Sequence, residues 1–99
     1  MDILFGNTKI TLSEEDKQRL IKFTNNHHTP TNTVFIAQDY DGSVFVYDEE
    51  PDYDEPHNCW TSVGNLEIIS NCDDAHLEGW RSRCVEVSLM LINNNYTFS

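Results

Sequence analysis

Five side chains in this sequence, His57, Cys59, Cys72, His76 and Cys84, are of the types that ligate zinc, and Cys72-x3-His76 would share one face of a helix. Zinc modules rely on close pairs such as Cys-x2-Cys, and none is present. The spacing instead favours small core thiols and surface imidazoles. Asp39-x-Asp41-Gly42 suggests calcium, yet an EF-hand loop needs its glycine sixth and a ligand first, and counting back from Gly42 reaches Ala37. The acidic run between Asp48 and Glu55 is suited at most to a weak, nonspecific cation. For catalysis the chain offers no glycine-rich phosphate loop and no serine elbow, and His57 and Cys59 are near neighbours in sequence rather than partners placed by a fold. Carboxylates on a loop open to water are ordinary ionised groups, untuned for acid-base work. No enzyme, cofactor or resident metal is expected.

The carboxylates carry more information as a surface. Asp and Glu number 17 against 6 Lys and Arg, for a formal charge of -11. In residues 1–22, Asp2, Glu14, Glu15 and Asp16 cancel Lys9, Lys17, Arg19 and Lys22. Residues 23–80 contain no Lys or Arg and twelve carboxylates, so the imbalance lies in this middle segment. A field of one sign repels nucleic acid, attracts basic surfaces and speeds encounters with them. Direct binding of DNA or RNA is disfavoured, because phosphate contacts need Lys and Arg.

The carboxylates are interleaved with Tyr40, Tyr47, Tyr53 and Trp60. Acidic groups spaced along strands and an extended loop imitate the regular charge of a nucleic-acid backbone, and exposed aromatics add contact area. The residues expected to bind a basic protein partner are Asp39, Asp41, Asp48, Glu49, Glu50, Asp52, Tyr53, Asp54 and Glu55. The plainer alternative is a solvated loop that keeps the protein soluble.

The elements that must position these groups follow from periodicity. The 99 residues fit one domain, and 38% apolar with 11% aromatic residues is enough for one modest core. Asp2–Phe5 and Lys9–Leu12 flank Gly6-Asn7, a hairpin turn pair. Ser13 or Thr11 can cap a helix over Ser13–Thr24, with Glu14 or Asp16 three residues on, acidic residues opening it and basic ones closing it. A polar stretch from Asn25 to Asn32 then leads into a hairpin made of Thr33–Gln38, a turn at Asp39–Gly42, and Val44–Tyr47. Alternation places Val34 and Ile36 on one face and Phe35 and Ala37 on the other in the first strand, and sets Phe45 and Tyr47 opposite Val44 and Val46 in the second. Both faces are apolar, so either the sheet is covered on both sides or one face contacts another molecule.

Pro51 and Pro56 mark Asp48–Asn58 as a loop, and strands are expected at Cys59–Val63, Leu66–Ser70 and Val85–Ile92. Asn71–Cys84 reads as a second helix, with Leu77, Trp80 and Cys84 on one face and Gly79 weakening it. An edge strand through Tyr96 and Phe98 is compatible with the tail. The fold class expected is α+β, a small antiparallel sheet of about four to five strands with two helices packed on it. The apolar runs are too short for a membrane helix, residues 1–5 lack the pattern of a signal peptide, and three cysteines cannot all pair within one chain, so a cytoplasmic location with reduced thiols is expected.

Val34-Phe35-Ile36-Ala37, Asp39-x-Asp41-Gly42, Val44-Phe45-Val46-Tyr47, Glu50-Pro51 and Trp60, with Gly79-Trp80-Arg81-Ser82 later, resemble a group of small acidic phage-encoded proteins. The resemblance spans about half of the chain and omits the N-terminal helix. It implies a phage or mobile-element origin, where small acidic proteins inactivate host nucleic-acid machinery, including restriction and CRISPR complexes; it assigns no catalytic residue. Two functions stay open: an inhibitor that docks its acidic surface on a basic, nucleic-acid-handling host protein, and an oligomeric small-molecule module, such as a homodimer, that sequesters a nucleotide.

Overall fold

The computed structural model describes residues 2–5, 8–27, 33–72, 76–77 and 79–88. Strands β1 (Asp2–Phe5) and β2 (Thr8–Thr11) pair antiparallel with Ile3 opposite Ile10, turning Ile3, Phe5 and Ile10 into the core. Helix α1 (Glu14–Asn26) starts where the capping residues require, with the Asp16 N–H donating to Ser13 Oγ at 3.1 Å. Glu15 and Asp16 pair with Arg19, and Glu14 lies 3.8 Å from the otherwise buried Lys17 ammonium. The helix runs past the expected Thr24 to Asn26, so its last turn carries no basic residue. Its apolar stripe is Leu20, Ile21 and Phe23.

The central sheet comprises β3 (Thr33–Gln38), β4 (Ser43–Tyr47), β7 (Leu66–Asn71) and β8 (Val85–Ser88). Its order is β7-β4-β3-β8, antiparallel throughout. The expected hairpin alternation is observed. Val34, Ile36, Val44, Val46 and Val87 join α1 and the β1–β2 hairpin in the main core. Ala37, Tyr47, Phe35 and Phe45 form a second cluster on the opposite face, with Trp60, Tyr53 and Cys84. A register shift opposite Val44 and Phe45 leaves Ile69 as an extra residue, and Ile69 is fully buried in the helix-side core while Ile68 faces the other way.

Of the two coverings foreseen for the hairpin, the sheet is covered on both sides. The second cover is itself a hairpin, β5 (Asp52–Asp54) and β6 (Cys59–Thr61), joined by a 3-10 turn over Glu55–His57 and a left-handed Asn58 (φ 53°). The stretch expected as a loop from Asp48 to Asn58 is therefore partly regular, because Pro56 suits the first turn of a 3-10 helix and Tyr53 pairs opposite Trp60.

The fold is α+β with one α-helix among the described residues. The expected second helix is absent from the described part of Asn71–Cys84: Asn71 ends β7, and the chain from Leu77 to Ser82 makes turn bonds, Trp80 N–H to the Leu77 carbonyl and Ser82 N–H to the Gly79 carbonyl. Gly79 adopts φ +68°, a left-handed conformation that breaks a right-handed helix. Residues 89–92 of the last expected strand, the Gly6-Asn7 turn and the Tyr96–Phe98 strand lie outside the described residues.

Candidate functional site

The acidic residues divide into two groups by what their oxygens do. Asp39, at the end of β3, accepts the Trp60 backbone N–H at 3.0 Å and so ties the β5–β6 hairpin to the central sheet. Burial raises its pKa, opposed by the Trp60 N–H and reinforced by Asp41. Asp41 accepts the Ser43 N–H at 2.9 Å within a turn that Gly42 completes at φ 89°, and that hydrogen bond lowers its pKa. Asp48 grips Asn65, taking its backbone N–H and its side-chain amide at 2.8 Å each. Asp54 sits 2.7 Å from His57 Nδ1 across the 3-10 turn. Asp39 and Asp48 staple segments far apart in sequence, whereas Asp41 and Asp54 fix local turns.

Glu49, Glu50, Asp52 and Glu55 are different. They are exposed, and among the described residues their side chains make no hydrogen bond or ion pair. Glu49 and Glu50 lie on the chain between β4 and β5, Asp52 opens β5, and Glu55 begins the 3-10 turn, so all four are exposed along one continuous stretch. Glu50 and Asp52, with Glu86, also raise the pKa of the Cys84 thiol, after burial as the main cause. Their field therefore reaches across the second face of the sheet.

The support beneath them is aromatic. Tyr53 meets Trp60 and Trp80 edge-on, at centroid distances of 5.5 Å and 5.9 Å. Trp60 Nε1 donates to the Trp80 carbonyl at 3.0 Å. His76 stacks on Trp80 at 4.5 Å and donates from Nε2 to the Tyr40 carbonyl at 2.6 Å, while the Arg81 guanidinium lies 5.1 Å from the Trp80 ring centre. The aromatics expected to offer contact area are mostly inside: Tyr47 and Trp60 are buried and Tyr53 is half-buried, leaving Tyr40 as the exposed one. Their apolar surface is consumed by holding the hairpin down, a role no local spacing reveals.

No three His, Cys, Asp or Glu side chains of the described residues converge as a metal-binding group. His57 and His76 belong to separate arrangements, one with Asp54 and one with Trp80. Burial, and then Asp39 and Asp54, raise the pKa of the Cys59 thiol. No helix among the described residues is long and apolar enough to cross a membrane.

Two surface features escaped the reading of the sequence. A depression of about 310 Å³ is lined by Arg19, Lys22, Phe23, Asn26 and His27 of α1 and its end, and by Glu67 of β7. The i, i+3 spacing of Arg19 and Lys22 hints at a cationic patch, but nothing local links it to Glu67. On the other side of β7, Leu66 and Ile68 are 46% and 41% exposed. Neither family models, nor curated proteins, nor solved structures give a match to this chain.

Proposed function

We propose that this chain is a small acidic inhibitor of phage type, which binds a basic, nucleic-acid-handling host protein in the manner of anti-restriction or anti-CRISPR proteins. The observation that carries the reading is the set Glu49, Glu50, Asp52 and Glu55, exposed and without side-chain partners among the described residues, in a segment from 23 to 80 that has no Lys or Arg. Carboxylates already spent on internal hydrogen bonds stabilise the fold; these four gain most from an external cation. Asp39, Tyr53 and Asp54 act beneath them, holding the β5–β6 hairpin, while Asp41 and Asp48 fix the neighbouring turn and loop, so that little ordering is required on binding. The immobilised protein should retain basic nucleic-acid-binding proteins from a bacterial lysate at low salt and release them at high salt. A variant with Glu49, Glu50, Asp52 and Glu55 changed to Lys should retain none of them; retention by that variant rejects the reading.

A second reading, a nucleotide-sequestering module, is favoured by one observation, the depression beside α1 where Arg19, Lys22 and His27 gather in an otherwise acidic molecule. A mononucleotide that binds there raises the melting temperature by mass action, and Lys22→Glu removes the shift. Absence of any shift with all four common mononucleotides rejects it.

A further inference from the structure

We propose that the acidic stretch and the exposed flank of β7 form one docking surface, and that its occupant is an amphipathic basic helix of the partner protein. The proposal rests on the charge-driven reading above for the cationic side of that helix and adds its apolar side. Leu66 and Ile68 stand opposite Tyr47 and Phe45, so both side chains lie on the sheet face away from α1. Tyr47 is buried and Phe45 is half-buried there, whereas Leu66 and Ile68 at the flank keep nearly half of their surface open. Val63, in the turn that leads into β7, is 97% exposed. Apolar side chains at i and i+2 of one strand, with Phe45 beside them, make a continuous strip rather than scattered single residues.

Geometry joins the strip to the carboxylates. Leu66 pairs with Tyr47 at the end of β4, and the chain runs on from there into Asp48, Glu49 and Glu50. Asp48 holds Asn65, the residue next to Leu66. The Glu49 carboxylate reaches the same turn, where its Oε2 lies 2.7 Å from the point at which a Cβ of Gly64 would stand. No Lys or Arg occurs between residues 23 and 80, so neither strand, nor the turn at Gly64, supplies a cation of its own. A surface that fits therefore offers apolar groups to Leu66 and Ile68 and cations to Glu49 and Glu50.

Strand addition does not suit this flank, because the bulge at Ile69 and the charge of Glu67 blunt the edge of β7. A helix laid across the face needs no such edge: its apolar stripe meets the strip, and its flanking Lys or Arg side chains reach the carboxylates. A second copy of this chain is a poor occupant, since it brings a formal charge of -11 to a surface of the same sign. Recognition is thereby divided in two. Charge speeds the approach of any basic protein, and the apolar contact chooses among them.

Two synthetic helical peptides of about 18 residues, long enough to hold a helix in water, test the proposal. Both carry the same lysines, and one has Leu where the other has Gln along the adjoining stripe. In fluorescence anisotropy at low salt the full chain should bind the Leu peptide at least about tenfold more tightly, the equivalent of 1.4 kcal/mol. Added salt should weaken both peptides in parallel and leave that ratio standing. Leu66→Gln combined with Ile68→Gln should erase the ratio, while far-UV circular dichroism matches the parent, since both side chains are exposed. Glu49→Gln with Glu50→Gln should weaken both peptides and keep the ratio. Equal affinity of the parent for the two peptides overturns the proposal and leaves the acidic contact standing, as does a ratio that survives in the Leu66 and Ile68 variant. Binding of neither peptide overturns both. A mass above 11.5 kDa for the protein alone, lost in that variant, assigns the strip to a second copy and overturns the proposal as well.

Discussion

The two faces of the β3–β4 hairpin are both buried, by different means. Toward α1 the contact is apolar: Val34, Ile36, Val44 and Val46 share one core with Leu20, Ile21 and Phe23. Away from α1 the cover is a short hairpin packed on Trp80 through Tyr53 and Trp60, whose own polar ends are hydrogen-bonded, and tied to the sheet by a carboxylate, Asp39. The first face is stabilised by volume filled, which tolerates no cavity. The second depends on a few directed bonds, and so it can hold an acidic surface close to the sheet without a large core beneath it.

That contrast can be broken from either side. Ile36→Ala should cost about 2 to 5 kcal/mol in urea denaturation, the usual range for truncating a buried aliphatic residue. Asp39→Ala should cost less, about 1 to 3 kcal/mol, by leaving the Trp60 N–H without its acceptor. Near-UV circular dichroism should register Asp39→Ala more strongly than Ile36→Ala, because Trp60 and Trp80 report the second face.

The Asp48 clamp offers a third test. A Cβ at Gly64 would collide with Asp48 Oδ1 and crowd Glu49 Oε2, so Gly64→Ala must break the bond to Asn65 and should cost about 1 kcal/mol. Changing Glu49, Glu50, Asp52 and Glu55 to Gln should leave stability within about 0.5 kcal/mol per site, as surface changes usually do. A large loss there would show that these carboxylates belong to the scaffold after all.

Acid titration sharpens the distinction in sign. Burial raises Asp39 above its ordinary 3.8, so its contribution to stability is fully present below 3.8 and is lost as pH climbs through the folded-state pKa. Asp41 is lowered from the same 3.8, so its contribution is present above that value and is lost as pH falls through its folded-state pKa. Asp39→Asn should therefore gain stability relative to the parent as pH rises just above 3.8, and Asp41→Asn should lose it as pH rises from below 3.8. Denaturation midpoints of the two variants against pH check both slopes; parallel slopes would mean that the two aspartates share one environment.

What the sequence disclosed was whatever depends on neighbours. Thr11 or Ser13 ahead of the acidic Glu14–Asp16 run marked the start of α1, and alternation within each strand separated Val34 and Ile36 from Phe35 and Ala37, and Val44 and Val46 from Phe45 and Tyr47; which face meets the helix is decided by the packing of α1. The second helix failed for an instructive reason. Leu77, Trp80 and Cys84 share a helical spacing, yet Leu77 belongs to the helix-side core and Cys84 to the opposite cluster, so the sheet lies between residues that seemed to share a stripe. The N–H of Leu77 is held by the buried amide oxygen of Gln38 at 2.7 Å, a link spanning 39 residues. For the acidic surface, composition located the charge but could not separate Asp39 and Asp48 from Glu49 and Glu50. That separation rests on Trp60 and Asn65, each many residues away.

The bond from Asp39 to Trp60 also gives the molecule a gauge. The β5–β6 hairpin meets the sheet at few points, and such a unit can lift while the rest of the fold stays intact. When it lifts, the Trp60 amide leaves its carboxylate and meets solvent, so its proton exchange rate measures how often the flap is open. If a partner seizes the carboxylates carried on that flap, this single amide should slow before any other change is seen.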